Sequence, residues 1–361
     1  MRAFFIGLLS VWAVCFGLPL VFALDGSVQP LDGDLTRIGG LSERDYGWTE
    51  PQLRFDRLTT ARFGSIAALA RAGVGYDFLV IGDSFSEAGV GNPHRFGYQQ
   101  WIEAGLGYSV ATISQAQIDY ERVVCDLAAL PTPPRYVVYQ TAERYLAPRI
   151  RNLESAAKET APCPRPVEHS HRWAPKSVPA LEPYLRSTAV GWHTIYAAFF
   201  SRMAAMLSNA TGYSRNSVKV FKLSNGALFS NLRSDDLLVV NEDLDSQVLD
   251  VDRLRHAIHG LAGLLARESG STFILLVSPN KLSAYHRYVI GRAPEPTSPV
   301  LRGSGVPMAD VDMELLSLIT RGHRDVYLPD DTHWGYRGHC AAARAIASYI
   351  RLEWRFRTCD Q

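Results

Sequence analysis

Apolar and polar positions follow two rhythms along this chain. Four short runs are apolar almost throughout: "FLVIG" (78–82), "YSVATIS" (108–114), "RYVVYQ" (135–140) and "TFILLVSP" (272–279). Runs of that length, rich in β-branched and aromatic residues, predict strands covered on both faces. Between them apolar residues recur at helical spacing, in "QLRFDRLTTARFGSIAALARAG" (52–73), "RFGYQQWIEAGLG" (95–107) and "IDYERVVCDLAAL" (118–130). Each is expected to be helical, and Pro131, Pro133 and Pro134 close the third. Strands alternating with helices at this pace predict an α/β fold, a parallel sheet with helices on both faces.

From about 150 to 235 the rhythm loosens into an irregular insertion. It holds the Pro- and His-rich "APCPRPVEHSHRWAPKSVPALEPYL" (161–185), a helix-like stretch at 192–207 and the β-like "VKVFKL" (218–223). A second β-like run, "DLLVV", follows at 236–240. The α/β pattern then resumes. A helix is expected over 250–268, followed by the fourth strand, a loop over 280–303, and a terminal helix whose apolar face carries Ala342, Ile346, Tyr349 and Ile350. Residues 51–361 therefore read as one domain, preceded by a polar, Gly-containing extended lead-in at 25–50.

The first 24 residues change the picture of where the domain works. Arg2 precedes an apolar run from Ala3 to Leu24 without a single charge. Val21-Phe22-Ala23 fits a signal-peptide cleavage site. The run is also long enough to persist as a membrane anchor. Both readings export the rest of the chain. Beyond Cys15 there are four cysteines, at 125, 163, 340 and 359, an even number with three connectivities. The expectation is pairing of neighbours, Cys125 with Cys163 and Cys340 with Cys359. Charge adds one exclusion: 37 basic against 36 acidic residues leave no general field for nucleic acid. A local basic patch for an acidic polymer stays open.

Chemistry concentrates at two points. In "IGDSFS" a buried strand runs into Gly82-Asp83-Ser84. That is a strand-to-helix turn, or a nucleophile set at the carboxyl end of a strand, where open α/β sheets build their sites. In "DDTHWGYRGH", Asp331 and His333 stand two apart before the last helix. Residues two apart in extended chain share a side, so the carboxylate reaches one ring nitrogen and leaves the other for a nucleophile. A helix-capping aspartate beside a packed histidine is the plainer account, and a metal set of Asp331, His333 and His339 a third. Asp83 is expected to anchor its turn, and Tyr98 and Trp101 to be core.

Together, a Gly-Asp-Ser turn after the first strand and Asp-x-His before the last helix resemble the SGNH (GDSL-type) hydrolase superfamily. The resemblance implies Ser84 as nucleophile, His333 as general base and then acid, and Asp331 as its orienting partner, with no cofactor and no metal. It departs from that pattern where the oxyanion hole should be completed, because no glycine or Gly-x-Asn-Asp follows the second and third strands. Gln115, Gln140 or a backbone amide near Thr141 are the expected substitutes, beside the Ser84 N–H. "AERYL" after the third strand, "SNLRSDDLLVVNEDL", "LLVSPNKLSAYHRY" and "DTHW" resemble the alginate O-acetyltransferase-like proteins, although the serine here precedes Asp-x-His.

That resemblance implies an exported O-acetyltransferase with a polysaccharide acceptor. Its acetyl donor is supplied by a membrane acetyl-transfer protein, and residues 3–24 are a candidate inner-membrane anchor. A carbohydrate acetylesterase and a non-catalytic glycan-binding subunit are the alternatives. Arg144, Lys281 and Tyr285 follow strands on the site side and are expected near substrate. Trp334 either floors an acceptor groove or packs the terminal helix.

Overall fold

The computed structural model describes residues 33–39, 41–56, 60–86, 97–158, 180–184, 217–244 and 248–357, with positions 7, 10, 12–17, 163, 173–174 and 359. Ten strands lie in chain order among them: β1 (Gln52–Phe55), β2 (Ala61–Phe63), β3 (Phe78–Gly82), β4 (Val110–Ser114), β5 (Tyr136–Ala142), β6 (Leu181–Tyr184), β7 (Val218–Leu223), β8 (Asp236–Val240), β9 (Thr272–Ser278) and β10 (Val289–Ile290). Five form the parallel sheet in the order β2-β4-β3-β5-β9. Two antiparallel sheets accompany it, β1 with β6, and β10-β7-β8.

The central strand shows why the sheet is covered on both sides. All five residues of β3 are buried. Phe78 and Val80 join one apolar cluster with Trp101, Ile102, Leu315 and Ile346, while Leu79 and Ile81 join another with Leu127, Ile150, Leu153 and Leu261. Alternate residues of a strand point to opposite faces, so one run supplies both cores. The first cluster brings in helices Tyr98–Leu106, Val311–Thr320 and Tyr336–Tyr349. The second brings in Ile66–Ala72, Val123–Ala128, Glu143–Ala156 and Val251–Ser269. The expected α/β class is the observed one.

Chain order also fixes where a site can open. From β3 the chain moves to β4 on one side and then to β5 on the other. At such a switch the connections diverge and leave a crevice beyond the carboxyl ends of the strands. Ser84 lies two residues past the end of β3.

Several expectations change. The helix expected over 52–73 is confined to Ile66–Ala72, capped by Ser65 Oγ and ended by Gly73 in the left-handed region. Residues before it form β1 and β2, whose distant partners β6 and β4 outweigh local periodicity. The helix expected over 118–130 shrinks to Val123–Ala128. Asp119 accepts from Glu121 N–H through its side chain and from Arg122 N–H through its carbonyl, a local turn that competes with helix. The loop expected at 280–303 contains helices Lys281–Tyr285 and Ser298–Gly303 as well as β10. The lead-in read as extended carries helices Asp34–Gly39 and Glu43–Tyr46. The helix-like stretch at 192–207 and most of residues 3–24 lie outside the described residues.

Both disulfides pair as expected, Cys125 with Cys163 and Cys340 with Cys359. Such bonds persist in the oxidising compartments that exported proteins reach. Among the described residues no helix is long and apolar enough to cross a membrane.

Candidate active site

The turn after β3 is held from every side except that of Ser84. Gln140 Oε1 accepts from the Asp83 N–H at 3.0 Å and from Ser86 Oγ at 2.7 Å. Asp83 Oδ1 accepts from the Phe85 N–H at 3.2 Å, and its Oδ2 takes the Ala142 N–H at 2.8 Å and Arg149 Nη1 at 2.7 Å. A Cβ at Gly82 would collide with Ser86 and crowd Gln140, so only glycine lets the chain pass here. Asp83 is the anchor that the sequence suggested. Ser84 is left exposed, and its own N–H makes no hydrogen bond among the described residues.

The histidine arrives from the far end of the chain. Leu328 N–H donates to the His333 carbonyl at 3.1 Å, and Tyr327 bridges Trp334, which closes a tight loop before helix Tyr336–Tyr349. Within it Asp331 Oδ1 accepts both the His333 backbone N–H at 2.9 Å and its Nδ1–H at 2.6 Å. The opposite nitrogen, Nε2, lies 2.8 Å from Ser84 Oγ. Phe85 packs against the imidazole, ring centroids 4.8 Å apart. Serine, histidine and aspartate thus form one hydrogen-bonded line, the geometry of a nucleophile activated by an oriented base.

Electrostatics follow from that line. Burial works to lower the His333 pKa, but the Asp331 charge and hydrogen bond, reinforced by Asp34, hold it up at about 8. Asp331 is buried, yet the imidazole and its N–H donors keep its carboxyl well below the ordinary range. A second carboxylate, Asp34, stands 3.7 Å from Nδ1. Burial, then the Asp331 charge, push it up to about 6.

The remaining candidates hold other partners than expected. Gln115 is buried and its amide donates to the Gln140 carbonyl. Gln140 is buried too, its amide nitrogen donating to Ser278 Oγ at 3.0 Å while its oxygen holds the turn. Both amide nitrogens already donate within the protein. The Ala142 N–H is occupied by Asp83 and the Arg144 N–H by Asn280 Oδ1. The Arg144 guanidinium pairs with Asp243 at 3.2 Å rather than with Glu143, whose carboxylate accepts the N–H groups of Asn280 and Thr297. Arg144, Asp243, Asn280 and Ser283 line a polar pocket of about 30 Å³ at the same sheet edge.

Lys281 is a correction. Its ammonium is buried beneath the Asp-x-His loop, donating to the carbonyls of Leu328, Pro329 and Asp331 at 2.7, 2.9 and 3.1 Å. Tyr285 is fully buried, its hydroxyl accepting from the Tyr327 N–H. Trp334 is core, packed on Phe85 with centroids 4.6 Å apart. These three support the site from below and offer nothing to a substrate.

His339 stacks edge-on against Trp334 at 5.4 Å and does not join Asp331 and His333 as a ligand set. It is fully buried, neither ring nitrogen has a hydrogen-bond partner among the described residues, and burial lowers its pKa to about 3. The folded state therefore refuses a proton that the unfolded chain accepts below its ordinary value of 6.5. Stability from this group is complete above that value and falls as pH drops toward 3, by a few kcal/mol at the limit. His339→Phe is expected to flatten that acid limb, which thermal melts of parent and variant across the window will measure.

Sequence reading missed Asp34, Arg149, Asp243 and Asn280. Asn280 stood in "SPNKL" beside the lysine that drew notice, whereas Asp34 carries no local signal at all. No protein-family model, curated protein or solved structure matches the chain.

Proposed function

We propose that the protein is an exported, periplasmic serine O-acetyltransferase acting on a polysaccharide, through an acetyl-Ser84 intermediate. One observation carries the reading: Ser84 Oγ, His333 Nε2, His333 Nδ1 and Asp331 Oδ1 stand in line at 2.8 and 2.6 Å. His333 takes the Ser84 proton as Oγ bonds to the acetyl carbonyl carbon. The tetrahedral oxyanion meets the Ser84 N–H, which has no hydrogen-bond partner among the described residues. Its collapse breaks the bond to the donor's leaving group, which departs with the proton from His333. A sugar hydroxyl then gives its proton to Nε2 as its oxygen attacks the acetyl-serine carbon. Collapse returns that proton to Ser84 Oγ and releases the acetylated sugar.

The block resemblances to alginate O-acetyltransferase-like proteins support transfer, and with it an acetyl donor passed outward by a membrane protein. Water attacking the same intermediate would make the protein a carbohydrate acetylesterase, a reading favoured by the exposure of Ser84. The test is incubation with 4-nitrophenyl acetate, with and without oligosaccharide acceptors, read by intact mass and by product. Acetylation of Ser84 that is absent from Ser84→Ala supports the intermediate. Acetylated sugar selects transfer, and free acetate alone selects hydrolysis. A folded protein that binds glycan yet never becomes acetylated would be a glycan-binding subunit.

A further inference from the structure

The Asp-x-His loop is held from above by the segment at 33–36. Leu35 and Thr36 N–H groups converge on the Asp330 carbonyl at 3.0 and 3.4 Å. Gly33 lies so close to that carbonyl that any Cβ would overlap it. Thr332, between the two triad residues, gives its N–H to Asp34 Oδ1 at 2.8 Å and its hydroxyl to Asp34 Oδ2. In return the Asp34 N–H donates to Asp331 Oδ2 at 3.4 Å. Glu43 fixes the segment itself by accepting from the Gly33 N–H and the Thr36 hydroxyl.

The two carboxylates divide the work. Asp331 takes the only proton on Nδ1, and Asp34 takes both donors of the residue in between. Asp34 nevertheless stands 3.7 Å from Nδ1, within range to act on the ring by charge. We propose that Asp34 is a positioning residue of the site, fixing the loop through Thr332 and placing a second negative charge beside the His333 ring. The proposal rests on reading Ser84, His333 and Asp331 as a triad. When Ser84 gives up its proton, the imidazolium that forms then faces two anions rather than one.

The sign of the pH effect follows. Besides Asp331, the charged groups that act on or feel Asp34 are His333 in the same loop and Lys281. Below about pH 6 Asp34 becomes neutral. Thr332 then loses a charged acceptor and the ring loses one of its anions.

The measurement is the titration of the His333 ring by NMR in the full exported domain carrying Ser84→Ala, with Asp34 intact or replaced by Asn. Asp34→Asn is expected to lower the His333 pKa by about one unit, a tenfold change in imidazolium population at fixed pH. Asp34→Glu, which keeps the charge, is expected to restore most of it. With Ser84 present, Asp34→Asn is expected to reduce kcat on 4-nitrophenyl acetate about tenfold above pH 8, where the ring is neutral in both proteins, with KM little changed. An unaltered His333 titration and pH–rate profile in Asp34→Asn would overturn the proposal. If Asn at 34 prevents folding, Thr332→Ala decides: it removes one bond to Asp34 and is expected to lower kcat severalfold, an unaltered rate being the refutation. The titration needs no turnover, so an inactive parent would sink the acetyltransferase reading while leaving the Asp34 result readable.

Discussion

Asp331→Asn is expected to reduce the acylation rate on 4-nitrophenyl acetate about 10⁴-fold while leaving the fold intact. The carboxylate accepts the Nδ1–H at 2.6 Å and the backbone N–H of the same histidine at 2.9 Å. An amide keeps the volume but offers a donor where an acceptor stood. The ring then favours the tautomer with its proton on Nε2, pointing a donor at Ser84 where a base is needed. A pH signature accompanies the loss. His333 acts as a base only when neutral, and its pKa is held at about 8, so the parent rate climbs toward pH 8 and falls up to tenfold per unit below it. Without the Asp331 charge, burial is opposed only by Asp34, so the His333 pKa drops and the acid limb moves to lower pH. Initial rates from pH 5 to 9 in both proteins check this. A variant with the parental limb would remove Asp331 from its orienting role.

What was legible in the sequence was whatever had a local cause. The Gly-Asp-Ser turn could be read because a five-residue buried strand must end somewhere, and Gly82-Asp83-Ser84 ends it. Asp331 and His333 could be read because a spacing of two puts both side chains on one side of extended chain. That these elements meet required only the rule that parallel sheets gather their sites at the carboxyl ends. What failed was direction. Lys281 follows β9 on the site side, as its position implied, but the carbonyls of Leu328, Pro329 and Asp331 need a donor inside the protein and turn it inward. Gln115 and Gln140 are in the expected neighbourhood, yet they are consumed in bracing the turn. Leu53 and Phe55 fitted a helical pattern and became strand because partners near residue 182 claimed their backbone. Asp34 had no cause within reach: its partner Asp331 stands 297 residues away.

Lys281→Met is expected to be the most destabilising substitution near the site, by about 3–5 kcal/mol, and to slow acylation about 100-fold in the protein that still folds. Methionine matches the length of the stem and keeps contact with the Phe229 ring, which lies 5.2 Å from the ammonium. The loss is therefore of three donors rather than of packing. The carbonyls of Leu328, Pro329 and Asp331 would be left buried without the partner they have now. Burial lowers the Lys281 pKa to about 8, against the pull of Asp330, Asp331, Asp34 and Asp243, so at neutral pH the parent side chain is mainly charged and supplies all three donors. The loop that loses them carries both Asp331 and His333, and the Asp34 segment also holds it. A displacement of about 1 Å at His333 is enough to spoil proton transfer from Ser84. Chemical denaturation gives the first number and burst-phase acetylation of Ser84 the second. A variant that unfolds early yet acylates at the parental rate would show that Lys281 stabilises the fold without shaping the site. A variant matching the parent in both would mean that the three carbonyls find other donors.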